Sequence, residues 1–65
     1  MDVSKYETAN SWFSAMHEKG YDVPIILCQA IEKVMKTKKI SFSQAYKQFA
    51  SDGRIVIKDK IISFE

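Results

Sequence analysis

The chain has one cysteine, one histidine, one proline and two glycines among its 65 residues. Each scarcity excludes something. A lone Cys28 cannot close an internal disulfide, so no disulfide framework stands in for a core, and a reducing, cytoplasmic setting is expected. With His17 and Cys28 as the sole imidazole and thiol, no Cys/His spacing suits a metal, and no cofactor is expected. Gly20 and Gly53 stand far apart, so there is no glycine-rich phosphate loop. The longest apolar run, Val23 to Cys28, falls well short of the roughly 20 residues that span a bilayer. The first residues lack the basic and apolar regions of a secretory signal, so none is expected, and with no spanning run no membrane partner is expected. The length allows one small domain over 1–65, with a marginal core, since such chains bury only about 60% of their unfolded surface. That leaves little room for a two-layered substrate cleft.

What is present fits a folded domain. Apolar residues make up 46% and charged residues 28%, which argues against disorder. The net charge of +2 is unevenly spread. Residues 1–32 carry two lysines against five acids, and residues 33–65 carry eight basic residues against three acids. A basic half points to a polyanionic partner, unless its lysines only solvate an exposed face. Nine of the ten basic residues are lysine, a bias that AT-rich coding DNA produces, as in phages and other mobile elements.

Three helical stretches precede a change of period. The first helix is expected over about 5–19. Ser4 and Glu7 have capping-box spacing, Tyr6, Ala9, Phe13 and Met16 form the core stripe with Trp12 beside them, and Gly20 ends the helix. A second is expected over about 23–37, with Asp22 as N-cap and Pro24 in the first turn. Its stripe is Val23, Leu27, Ala30, Ile31 and Val34. Ile25, Ile26, Cys28 and Met35 widen this to nearly the whole circumference, which implies burial on several sides or a covering partner.

Ser41 and Gln44 repeat the capping-box spacing and open a third helix over about 42–51. Phe42, Ala45, Tyr46, Phe49 and Ala50 face inward, and Ser43, Gln44, Lys47, Gln48 and Ser51 face out. Arg54–Lys58 and Ile61–Phe64 then read as a β-hairpin. A two-residue loop at Asp59-Lys60 pairs Ile57 with Ile62 and Ile55 with Phe64, all four towards the helices. A three-residue loop would set Ile55 against Ser63 and spoil the apolar face. The expected fold is α+β: three helices followed by a C-terminal β-hairpin.

Catalytic candidates are few. A Cys–His nucleophilic pair needs contact and an orienting third group. His17 falls at the polar end of the first helix and Cys28 in an apolar stretch, so Cys28 reads as a small buried hydrophobe and no enzyme is expected. Three helices then a hairpin is the element order of a winged-helix domain without its first small strand. In that arrangement Ser43, Gln44, Lys47 and Gln48 are candidates for base edges and phosphates, glutamine being suited to adenine. Lys58 and Lys60 at the hairpin tip, and Lys36, Lys38 and Lys39 before the third helix, are candidates for duplex DNA phosphates. Two features depart from a compact helix-turn-helix: the second helix is long and its connection to the third lacks glycine. The competing reading is a protein-interaction module, an adaptor or inhibitor that could be a homodimer. Trp12, Met16, Met35 and Ile61 are hard to bury together in so short a chain.

Overall fold

Where each helix starts depends on which polar side chain captures its free N–H groups. The structure, a computed structural model, describes residues 2–65. Its first helix, α1, spans Ala9–Glu18 and starts later than the Ser4–Glu7 spacing implies. Ser4 donates its backbone N–H (3.0 Å) and its hydroxyl (2.6 Å) to Asp2 Oδ1, forming a local turn instead of a cap. Thr8 takes the capping role, its Oγ1 accepting from Ser11 N at 3.0 Å.

The second helix, α2, spans Ile25–Lys38, and Asp22 does not cap it; Pro24 holds the N-cap position without a side-chain bond. Asp22 is committed elsewhere. Its N–H donates to Lys60 O and its carbonyl accepts from Ile62 N, both at 2.8 Å. The third helix, α3, spans Phe42–Ser51 as expected, with the Ser41–Gln44 capping box formed.

All three helices end in one way. Two or three residues past the helix, an N–H reaches back to a carbonyl five residues earlier: Tyr21 to Met16 (2.9 Å), Ile40 to Met35 (3.2 Å) and Arg54 to Phe49 (3.0 Å). This closure needs a left-handed residue before the donor. Gly20 (φ 87°) and Gly53 (φ 73°) supply it twice, and Lys39 (φ 54°) supplies it after α2. The glycine-free connection is therefore made by a lysine in a conformation that costs a non-glycine residue about 1–2 kcal/mol.

Strands β1 (Ile55–Lys58) and β2 (Ile61–Phe64) pair antiparallel in the expected register, Ile55 opposite Phe64 and Ile57 opposite Ile62. Asp59 (φ 50°) and Lys60 (φ 65°) make the two-residue turn that matches the twist of the strands. The joint between α1 and α2 adds one parallel bridge, Asp22 to Ile61. β2 therefore lies between Asp22 and β1, and the hairpin tip is fastened beside the start of α2.

The core is centred on Trp12, which is fully buried rather than flanking the stripe; its ring lies 5.6 Å from both Phe42 and Tyr46. Its indole N–H has no hydrogen-bond acceptor among the described residues, and the Tyr46 ring stands nearly edge-on to it. Leu27, Ile31, Phe42, Ala45, Met16, Phe49 and Ile62 are buried with Trp12, as are Val3, Ala9, Val23 and Cys28. Trp12 and Met16 are thus both buried, against the expectation of residual surface there, while Met35 is half-buried.

Surplus apolar surface does exist, but elsewhere. Ile25, Ile26, Val56, Ile57 and Ile61 are exposed. Ile25 and Ile26 fall outside the side of α2 that buries Leu27, Cys28 and Ile31, so that helix is not buried all round. Ile57 has the right register, opposite the buried Ile62, but is 41% exposed and stays outside the core. Ala50 is likewise exposed. No helix among the described residues is long and apolar enough to cross a membrane.

Candidate nucleic-acid interface

The outward face of α3 follows from its inward one. Phe42, Ala45, Tyr46 and Phe49 are buried, which turns Gln44, Lys47, Gln48 and Ser51 to solvent and leaves Ser43 half-buried. Lys47, Gln48, Ser51 and Asp52 line a shallow open cleft. Ser51 belongs to this surface through its i+3 and i+4 relation to Gln48 and Lys47, although it was not among the site candidates read from sequence. Asp52 closes the far end with a negative charge. Asp2 lies within the field of Lys47; its carboxyl is held below the usual range chiefly by the two Ser4 donors, with Lys5 and Lys47 adding to the effect.

The basic candidates divide among three places. Lys38, in the last turn of α2, reaches across to α3, where its Nζ donates to Gln48 Oε1 at 3.0 Å. Lys39 is the left-handed residue that closes α2. Lys36 lines a more apolar groove with Thr8, Ala9, Asn10, Glu32 and Met35, between α1 and α2 rather than on the α3 face. The hairpin lysines lie at the opposite end of α2, which is about 21 Å long at 1.5 Å per residue. Lys60 turns inward, its Nζ donating to Lys19 O at 3.2 Å and standing 5.9 Å from the centre of the Tyr21 ring. It thereby satisfies a carbonyl at the end of α1. Lys58 has no such partner among the described residues and projects freely.

Arg54 looks like an obvious phosphate ligand, but its guanidinium is already engaged. It lies 4.6 Å from the Phe64 ring centre and 5.2 Å from that of Phe49, and Nε donates to Glu65 O at 2.7 Å. It ties the end of the chain to α3.

The glutamines are held too. Gln44 Oε1 accepts from Ser41 N at 3.1 Å in the capping box, and Gln48 Oε1 accepts from Lys38. The two groups considered for nucleophilic chemistry have other neighbours. The His17 ring stacks on Phe13 with centroids 6.3 Å apart. The Cys28 thiol donates to Glu32 Oε1 at 3.7 Å. Burial, and then the Glu32 charge, push that thiol above its ordinary pKa. Among the described residues no three His, Cys, Asp or Glu side chains gather as a metal site would require. Comparison with protein families, curated proteins and solved structures finds no match to this chain.

Proposed function

We propose that this chain is a small, non-enzymatic regulator that binds duplex DNA through the exposed face of α3. Lys38 and Lys39 flank that face, and Lys58 meets the backbone from the hairpin tip. One observation carries the reading. No acidic residue occurs from Lys33 to Ser51, a stretch holding five lysines, and the exposed residues of α3 at its end are polar apart from Ala50. A helix with its side chains is about 10–12 Å across, which suits the major groove, about 12 Å wide, and the ten residues of α3 run about 15 Å along it. The longest dimension of the molecule, 31 Å, is close to one turn of duplex, about 34 Å. A single copy therefore covers one groove segment and its bordering phosphates. The free thiol suits a cytoplasmic setting.

The test is a titration with mixed-sequence duplex DNA at two salt concentrations, beside a solution mass measurement. Steep salt dependence is expected. Lys47→Ala should weaken binding about equally on all sequences and lower the salt slope by about one. If Lys47→Ala leaves low-salt affinity untouched, α3 is not the contact surface.

The exposed isoleucines favour a second reading. Ile25, Ile26 and Ile61, with Val56 and Ile57, are the kind of surface a protein partner or second copy covers. In this reading the chain is an interaction module. Absence of duplex binding at low salt, together with a dimeric mass, would select it.

A further inference from the structure

The two glutamines on α3 are commonly suited to adenine, because one amide offers an acceptor to N6 and a donor to N7. Here both amides are oriented by groups that can only donate. An ammonium has no lone pair, and neither has a backbone N–H. Lys38 Nζ at 3.0 Å therefore fixes Gln48 with Oε1 towards α2, and Ser41 N at 3.1 Å fixes Gln44 with Oε1 towards its own N-cap. In each case Nε2 is left as the group available to a ligand, and neither amide nitrogen donates to another group among the described residues. Beside them stand the Lys47 ammonium and the Ser51 hydroxyl. Along Gln44, Lys47 and Gln48 the face offers hydrogen-bond donors; Ser51 can donate or accept, and the Asp52 carboxylate, which only accepts, bounds the far end of the cleft.

We infer that this face selects guanine over adenine in the major groove, an inference that rests on the DNA-binding reading above. Guanine presents two acceptors there, O6 and N7, whereas adenine places an N6 donor beside its N7. Neighbouring donors meet N7 and O6 side by side on guanine, whereas on an A·T pair the two acceptors, adenine N7 and thymine O4, are separated by the N6 donor, which opposes a second donor aimed at adenine. Duplex RNA is not the expected ligand, because its major groove is too deep and narrow for side chains to read.

The test compares four duplexes of equal length at one salt concentration: G·C, A·T, G·C with every guanine replaced by 7-deazaguanine, and inosine·C. The G·C duplex should bind at least about fivefold more tightly than A·T, the low end of discrimination by base-edge contacts. Loss of N7 in the deaza duplex should remove most of that advantage. Inosine, which keeps O6 and N7 and lacks only the minor-groove amine, should retain it.

Lys38→Met then tests the orientation itself. Freed from its ammonium, Gln48 can present Oε1 to adenine, so the G·C to A·T ratio should fall about threefold or more. A Lys38 that acted only as a charge would weaken both duplexes alike and leave the ratio unchanged, and that result overturns the inference. Equal binding of G·C and A·T, or indifference to the deaza substitution, also overturns it while leaving the DNA-binding reading in place. Failure to bind any of the four overturns both.

Discussion

Replacing Lys60 by methionine separates a structural lysine from a DNA-facing one. Lys60 and Lys58 are two residues apart and equally basic, yet only Lys60 donates to a backbone carbonyl, Lys19 O at 3.2 Å. Methionine keeps most of the aliphatic stem and the same left-handed backbone demand, so the substitution removes little beyond the ammonium. A cation on the last carbonyls of an exposed helix end contributes about 0.3–1 kcal/mol. An exposed contact with the Tyr21 ring adds about 0.5 kcal/mol. The total is about 1 kcal/mol, and in a domain of this size that lowers the thermal midpoint by about 4–8 °C. Thermal unfolding followed by far-ultraviolet circular dichroism reads the loss directly. The salt dependence of duplex binding should be unchanged in Lys60→Met. Lys58→Met should do the reverse, leaving the midpoint within the scatter of surface substitutions and lowering the salt slope by about one. If Lys60→Met leaves the midpoint alone and lowers the salt slope, the ammonium belongs to the DNA and the reasoning about the end of α1 is wrong.

Three further outcomes are expected. Ser41→Ala removes the hydroxyl that accepts from Gln44 N, while the backbone N–H that holds Gln44 Oε1 remains, and should cost about 1 kcal/mol, read as a lower denaturant midpoint. Ile62→Ala should cost about 2–4 kcal/mol, whereas Ile61→Ala should stay within about 0.5 kcal/mol, because the former is 2% and the latter 55% exposed. Equal losses in urea titrations would mean that the hairpin register is shifted by one. Burial raises the pKa of both Cys28 and Tyr46, so the folded state holds their protons more tightly than the unfolded chain does. Stability should therefore be at its full value near neutrality and decline as pH rises through the ordinary thiol value, from about pH 8.5 upward. Iodoacetamide should label native Cys28 far more slowly than the denatured chain, and equal rates measured by mass would show that the thiol is not buried.

What the sequence determined by itself was whatever depends on near neighbours. The bounds of α3, the Ser41–Gln44 box, the glycine closures at Gly20 and Gly53, and the hairpin register all follow from spacings of a few residues. Each has one good local solution: a serine three positions before a glutamine, a flexible residue after a helical stripe, an even loop that keeps Ile62 and Phe64 on one face. The polar face of α3 was legible for the same reason, being the complement of Phe42, Ala45, Tyr46 and Phe49.

Tertiary structure decided wherever two local solutions competed or a partner came from far along the chain. Ser4 and Thr8 both suit a helix start, and Ser4 was lost to Asp2 while Thr8 capped. Asp22 suits an N-cap, but two backbone bonds to β2 outweigh one side-chain bond. Trp12 sits between helical faces on a wheel, and only the approach of Phe42 and Tyr46 makes it the centre of the core. Ile25, Ile26 and Ile57 are as apolar as Ile31 and Ile62, but the described residues that pack on α2 and the hairpin leave them exposed. The roles of Lys60 and of the two glutamines were hidden for the same reason. A lysine pattern carries charge but not direction, and the direction of each of these side chains is set by an acceptor or donor held in place by packing. For Lys60 and Gln48 that partner lies on another element.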